Sequence, residues 1–484
     1  MGTKQAFDRN MLYFMAILIF LGTTTPALGQ GLFEKALEEP DQKDQDKEAN
    51  ETGFIETSSV EFNGYVRGDL YIGKVNEKNV TEIKSGYAEA AASLKAKMGK
   101  WGDGRAEMRL RYGYLGSQVE GTFDLHEAFA NVYLGPLDIR FGHQIIAWGR
   151  ADAFNPTDNL TPRDMRVRSP NEDDRRAANL AIRTWLNFPP LRWEIIYIPF
   201  YAPSHFPSFA LPGPIAFTEP DYPDTDFEHG IAATRLNFEL AKVDFSVSYL
   251  FGYATFPGLG FVELRYLQDP IELAVAFRAY QQHVAGADFS TAIGDLFGLR
   301  GEVAYRHTLK SGKSEHVPLP DLQYVLGVDR EFGDVSIILQ YVGRTVFDWE
   351  KLPDPKDIVG ELPPRELLEQ FMANPITAGA IVSGIRTEIR RNTRMIAGQI
   401  TRFSHALTAR VAWNLLQETL TLELLGFYNF STEEWILMPK ITYSIADGLK
   451  ACAGAEIYGG PDGTMYGTID QLMSAGFLEL KAYF

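Results

Sequence analysis

The stretch that decides the fold is G-R-A-E-M-R-L-R-Y-G-Y, residues 104–114. Arg105, Glu107, Arg109 and Arg111 share one side of an extended chain, with Ala106, Met108, Leu110 and Tyr112 on the other. Successive side chains of a strand point to opposite faces. A period of two with full charges on one side therefore describes a sheet with one wet and one apolar face.

The pattern recurs. In 137–145, Asp138, Arg140 and Gln144 oppose Leu137, Ile139, Phe141 and Ile145. In 234–240, Arg235, Asn237 and Glu239 oppose Leu236, Phe238 and Leu240. In 297–306, Arg300, Glu302 and Arg306 oppose Leu299, Val303 and Tyr305. A soluble sandwich alternates in the same way, so the connections decide. Short turns occur at 100–104, 134–138, 188–191, 240–244, 293–298, 331–334, 416–419 and 446–449. Longer links lie between them, the largest at 147–177, 200–228 and 349–395. Outer-membrane barrels alternate short periplasmic turns with long outer loops. Eight short turns, with both termini on their side, give eighteen strands. The expected fold is thus all-β: a transmembrane antiparallel up-and-down β-barrel of about 18 strands over 61–484, with 16 the alternative. The run F-V-E-L-R-Y-L-Q, 261–268, is ambiguous as an extra strand.

The ends of the chain agree with that destination. Lys4 and Arg9 flank a short polar start that precedes the apolar run Met11–Gly22, and Ala27 and Gly29 are small residues at signal-peptidase spacing. Residues 1–29 read as a signal peptide cleaved after Gly29, because the apolar run is too short to span a bilayer. No Cys follows the cleavage point, which argues against a lipoprotein. Residues 30–60 form an acidic periplasmic extension of largely disordered composition. Within it, L-F-E-K-A-L has the length for one amphipathic turn against a periplasmic partner. The last strand sets Ala482, Leu480 and Leu478 against Tyr483, Lys481, Glu479 and Phe477. Its terminal Phe484 resembles the signal by which barrel-assembly machinery recognises outer-membrane barrels. The mature protein is expected in the cell outer membrane, surrounded by its lipid.

Composition excludes other classes. A single cysteine, Cys452, rules out an internal disulfide framework, and it reads as a packing residue. The net charge of −17 argues against nucleic acid as a partner. None of the eight histidines lies in H-x-x-x-H spacing, and G-x-S-x-G and the P-loop are missing. No metal, no cofactor and no enzyme activity are expected. His143, His205 and His405 are placed at strand ends or on the interfacial belt.

A barrel of this size encloses an aqueous channel. Arg105, Arg109, Arg111 and Arg140 are expected to face it, along with Arg67, Arg183, Arg192, Arg235, Arg300 and Arg306. Carboxylates such as Glu107, Asp138, Glu194 and Glu302 are interleaved with them. Either these charges pair across strands, at about 0.2–1 kcal/mol per pair, or the arginines form a stripe that favours anionic or polar solutes.

The third outer loop, 147–177, carries six arginines against six acids. Pro156, Pro162 and Pro170 stiffen it. A stiff charged loop holds a fixed shape inside a wet lumen. Arg150, Asp152, Asp158, Arg163, Asp164 and Arg166 are the candidates for a constriction; the alternative is that they anchor the loop to the wall by ion pairs.

The run F-G-H-Q-I-I-A-W-G-R-A-D-A-F-N-P-T-D, 141–158, resembles the G-x-Q-x-x-x-W-G-x-x-D-x-x-N-P-x-D signature of a poorly characterised porin-like family of Gram-negative outer-membrane proteins. Residues 427–443 and 454–464 are similar to later strands of that family. The motif positions are Gly142, Gln144, Trp148, Gly149, Asp152, Asn155, Pro156 and Asp158. The resemblance implies an outer-membrane barrel and, in some members, work beside export systems; it supplies no substrate. His143 departs from the arginine of the pattern.

Pro363-Pro364 and R-E-L-L-E-Q-F-M-A open a helix, and Asn374-Pro375 restarts a second, where Ile381, Ile385 and Ile389 recur every four residues. These helices in the 349–395 loop form a lid, a plug or an outer cap. Taken together, the sequence points to a passive channel for small polar or anionic solutes with the third loop as its constriction. Self-association as a trimer and contact with an exporter are the remaining partner expectations. The alternatives are a closed or plugged barrel for export or envelope organisation, or a hydrolase with Ser and His from adjacent strands.

Overall fold

The computed structural model describes residues 58–75, 80–116, 118–152, 154–206, 215–267, 271–353 and 365–484. The expected signal peptide, the acidic extension up to residue 57, and Pro363-Pro364 lie outside the described residues. The strands run β1 (Ser59–Val75), β2 (Val80–Lys97), β3 (Gly102–Tyr114), β4 (Val119–Leu134), β5 (Leu137–Gln144), β6 (Asn179–Phe188) and β7 (Leu191–Ile198). They continue with β8 (Ile215–Phe217), β9 (Ile231–Glu239), β10 (Val243–Tyr253), β11 (Gly258–Arg265), β12 (Glu272–Arg278), β13 (Gln281–Ile293) and β14 (Phe297–Thr308). The last third holds β15 (Asp321–Phe332), β16 (Val335–Val346), β17 (Phe403–Leu415), β18 (Leu420–Asn429), β19 (Glu434–Ala446), β20 (Leu449–Gly459) and β21 (Ala475–Tyr483). Among the described residues, three α-helices stand between strands: α1 (Arg365–Ala373), α2 (Pro375–Ile396) and α3 (Met465–Met473).

All but β8, β11 and β12 join one 18-stranded sheet, each strand antiparallel to its sequence neighbour in that sheet. The sheet closes on itself where β1 pairs with β21, with Tyr65 opposite Tyr483 and Ile72 opposite Gly476. Phe484 extends the seam, exchanging both main-chain bonds with Gly64 at 2.9 Å. Closure leaves no edge strand to present unpaired N–H and C=O groups. The eight short connections fall at the turn sequences that foreshadowed them. Gly135 (φ 67°) and Gly333 (φ 58°) supply the left-handed residues that two such turns need.

The ambiguous run, over its described residues 261–267, belongs to neither neighbouring barrel strand. β11 and β12 form a hairpin which, with β8 parallel to β12, makes a separate three-stranded sheet. Its apolar side packs Leu259, Phe261, Leu264 and Val275 against Leu368 of α1 and Ile385 and Ile389 of α2. The fourth, fifth and seventh outer loops therefore share a small core of their own, separate from the barrel sheet. A plain strand count missed this, because a hairpin with its own partner sheet alternates no differently from a wall strand.

The wall is inverted relative to a soluble protein. Leu110, Phe123, Leu326 and Leu478 are more than half exposed on its outside, while Glu89, Arg111, Asp288 and Glu302 are buried inside. Exposed apolar surface on this scale has lipid as its natural solvent. Among the described residues, no helix is long and apolar enough to cross a membrane. The crossing elements are strands. Leu326, 51% exposed midway along β15, tests this. Leu326→Arg should cost about 2–4 kcal/mol in the unfolding midpoint of the lipid-embedded barrel; in water an exposed Leu→Arg change would be nearly neutral.

Candidate functional site

The third outer loop, between β5 and β6, does not stay outside. Gln144, fully buried at the end of β5, donates to the Ala181 carbonyl at 2.9 Å and fixes the strand end. Gly142 has φ 135°, and a Cβ there would sit 2.2 Å from the Ala128 carbonyl. The chain then turns inward. Ile146 N–H donates to Thr161 Oγ1 and the Thr161 hydroxyl donates back to Ile146 O, both at 2.8 Å. Ile146, Trp148 and Leu160 pack on Ala181, Ile196, Ala233, Leu250, Val284 and Ala304 of the inner wall. The indole N–H of Trp148 reaches Glu194 at 3.1 Å.

Residues 149–152 and 154–157 then wrap one wall carboxylate. Glu302 of β14 accepts from the backbone N–H of Arg150, from that of Ala151 at 2.6 Å, and from the Thr157 hydroxyl at 3.1 Å. The Asn155 amide, with its nitrogen turned inward, donates to Glu302 at 3.1 Å and to Ala151 O at 2.7 Å. Gly149 lies at φ 110°, and a Cβ there would stand 2.5 Å from Glu302 Oε1. The W-G-R-A-D-A-F-N-P-T run is thus a clasp: glycine makes room, two amides and two side chains donate, and Pro156 stiffens the turn.

From the clasp the loop reaches strands all round the barrel. Arg150 pairs with Asp288 of β13 at 2.7 Å, and Asp152 faces Arg410 of β17 at 3.4 Å. Phe154 stacks on Phe427 of β18 with centroids 5.3 Å apart. Arg168 pairs with Glu456 of β20 at 2.8 Å. Asp174 lies between Arg67 of β1 at 2.5 Å and Arg109 of β3 at 3.0 Å. In the closed ring of strands, β1 and β3 stand opposite β13 and β15, with β14 between those two. A loop bonded to both sides has to cross the lumen.

The remaining candidates, Arg140 apart, are also in ion pairs. Asp158 holds Arg176 at 2.8 Å and Arg163 at 3.5 Å. Asp164 takes Arg166 through two bonds of 2.8 and 2.7 Å, beside the backbone of His205. On the wall, Arg105 pairs with Glu107 at 2.8 Å, Arg109 with Glu107 at 2.8 Å and Arg111 with Glu89. Arg140 bonds Asn131 at 2.7 Å and lies over the Phe129 ring at 4.0 Å. His143 is exposed on the outside of the wall, away from this network.

Between the loop and strands β13 to β19 lies a cavity of about 200 Å³. Asn155, Asp158 and Arg163 line it from the loop, Arg306 and Arg344 from the wall, and Tyr466 from α3. Helix α3 folds inward as the loop does. Its Met465, Tyr466, Ile469 and Met473 pack with Phe427, Ile436 and Tyr458. Sequence reasoning missed this helix, although Thr464 as N-cap, with Met465, Ile469 and Met473 every four residues, was a usable signal. It also missed the partner of the clasp, since Glu302 is far from the motif in sequence. Among the described residues, no cluster of three or more His, Cys, Asp or Glu has the arrangement to hold a metal ion.

No protein-family model and no curated relative matches the chain. Among solved structures, the outer membrane protein opdK of Pseudomonas aeruginosa, also solved with vanillate, is 8% identical with a TM-score of 0.51 over 89% of this chain and 100% of its own. OccK8 (OprE) of Pseudomonas aeruginosa is 10% identical, TM-score 0.51, over 90% of this chain and 99% of its own. OccAB4 of Acinetobacter baumannii is 10% identical, TM-score 0.50, over 88% and 97%. At these identities the likeness is one of fold, that of a porin-like outer-membrane barrel.

Two expectations follow. Glu302→Ala strands two buried backbone donors, at about 1–3 kcal/mol each; limited proteolysis should then cut within 149–157 while the barrel's circular dichroism is kept, and Glu302→Gln should be cut less. The second concerns pH. Burial pushes the Asp152 carboxyl up to about 6 from its ordinary 3.8, with Arg410 pulling the other way. Its contribution to stability is full below pH 3.8 and is lost as pH rises through 6. Burial also opposes ionisation of Asp174, but Arg67 and Arg109 hold its carboxyl well below 3.8. Asp174 therefore contributes nothing to the slope between pH 5 and 7. The melting temperature should fall from pH 5 to 7 less steeply in Asp152→Asn than in the parent, and equally steeply in Asp174→Asn.

Proposed function

We propose that the protein is a channel of the outer membrane for passive diffusion of small polar or anionic solutes, with the third loop as its constriction. The observation that carries this reading is the loop's path. It crosses the lumen, is pinned to opposite walls, and borders a cavity lined by polar side chains. A rigid polar narrowing inside a wide barrel selects solutes by size and hydrogen bonding without chemistry, and no enzymatic role is assigned. The like structure solved with vanillate supports including carboxylate solutes in the range tested.

The finer parts of the reading rest on the sequence. The signature at 142–158 suggests membership of the poorly characterised porin-like family and, through it, work beside an exporter. Cleavage after Gly29, recognition of Phe484 by the assembly machinery and assembly as a trimer belong to the same proposal. One observation favours a second reading: the buried ion pairs that hold the loop across the lumen also suit a closed barrel serving export or envelope organisation.

Planar-bilayer recording separates the two. Under the channel reading the purified protein gives steady single-channel conductance. Arg150→Ala combined with Arg163→Ala and Arg166→Ala should enlarge the conductance and shift the reversal potential away from anions. Silence from both proteins would overturn the channel and leave the closed barrel.

A further inference from the structure

Along the paired strands β18 and β19 the inward side chains stand in rows, from the outer end of the wall toward its middle. Asn429 lies opposite Glu434, Phe427 opposite Ile436, Leu425 opposite Met438, and Glu423 opposite Lys440. Each row is roughly 7 Å below the last, two residues of an extended strand. Two apolar rows thus separate a polar row from a charged one. A wall that only faced open water would carry polar groups there, yet Leu425 and Ile436 are each 2% exposed.

The third loop supplies their cover. Phe154 stacks on Phe427 with centroids 5.3 Å apart, and both Phe154 and Met438 pack on Leu425. The chain on either side of this ring is pinned. Asp152 faces Arg410 at 3.4 Å, and the Asn155 amide donates to Glu302 at 3.1 Å. Tyr466 of α3 meets the Phe427 ring edge-on at 5.8 Å.

The apolar rows lie between two cavities. Phe154 and Phe427 line the cavity of about 200 Å³, whereas Leu425 and Met438 line a second one of about 30 Å³ together with Lys440 and Glu456. Beside the second cavity, Glu423 is bonded by Arg410 at 2.7 Å and approached by Lys440 at 3.3 Å. Polar surroundings therefore resume on both sides of the apolar layer.

We infer that Phe154, Phe427, Leu425 and Met438 form an apolar seal between the two cavities, which water and ions cross only when the Phe154 ring parts from Phe427. An apolar constriction stops ions because they must leave their hydration behind to enter it. The loop's ion pairs then fix where the constriction lies, and its phenylalanine closes it. The inference deepens the channel reading and rests on the lumenal path that reading assigns.

The test changes polarity and bulk separately. Met438→Gln keeps the length of the side chain and adds an amide that holds water; Phe154→Ala removes the ring. In planar bilayers, Met438→Gln and Phe154→Ala should each raise ionic conductance roughly ten-fold over the full-length parent, the low end of what exposing one buried apolar side chain to water confers. Circular dichroism checks that the barrel is kept, and Leu425→Asn replaces Met438→Gln should that variant fail to fold. A packing role alone would lower the melting temperature of both variants without moving the conductance. A conducting parent with neither variant above it overturns the seal and leaves the channel standing. A rise in Phe154→Ala without one in the polar variant marks a steric plug and also overturns the seal. A silent parent with conducting variants overturns the passive channel and keeps the seal. Silence in all of them overturns both.

Discussion

Every backbone N–H and C=O that faces a bilayer has to be bonded within the protein, because lipid offers no partner. The rest of this structure depends on that constraint. It requires the ring of strands to close, so β1 must find β21, and their antiparallel pairing demands an even count. The constraint also extends the seam to the last residue, where Phe484 and Gly64 exchange both main-chain bonds. Irregular backbone is pushed out to the loops or in to the lumen. There the third loop meets its bonding needs with side chains of the wall.

The lumen then poses the opposite problem. A barrel of eighteen strands is too wide to be filled by its own inward side chains, and this one is narrowed by folding loops into it. Two kinds of contact make that stable. Small inward residues, Ala181, Ala233 and Ala304, leave space for Ile146, Trp148 and Leu160 to pack. Buried charges are matched one against another, as with Asp174 between Arg67 and Arg109. Ion pairs of this kind add little net stability, since desolvation offsets the attraction, but breaking one leaves a charge buried alone. They fix where the loop lies more than how stably the barrel folds.

Much of the candidate site was legible as residue types and little of it as partners. The loop's arginines and acids were visible as a balanced set, and the two readings offered for them, constriction and anchoring, are geometrically compatible. The clasp shows why the motif needs a glycine followed by small and amide residues: Gly149 keeps a Cβ away from Glu302, and Asn155 donates to it. The β11–β12 hairpin shows the limit of periodicity. β11 and β12 alternate like wall strands, yet they pair with β8 and cover α1 and α2, because burial against the helices was available to them apart from the wall.

By itself the sequence determined the class of fold, the wall strands and their turns. Those follow from local rules: the alternation of apolar and charged residues, the turn residues between strands, and the parity that closure imposes. Only the tertiary structure decided that the third loop crosses the lumen, that Glu302 is the carboxylate it grips, that α3 folds inward, and that the cavity's arginines are already paired. The first two depend on contacts between residues more than a hundred positions apart, such as Arg150 with Asp288 and Asp152 with Arg410. Closing the ring brings those positions together, and no local pattern records which of many arginines and acids will meet across it.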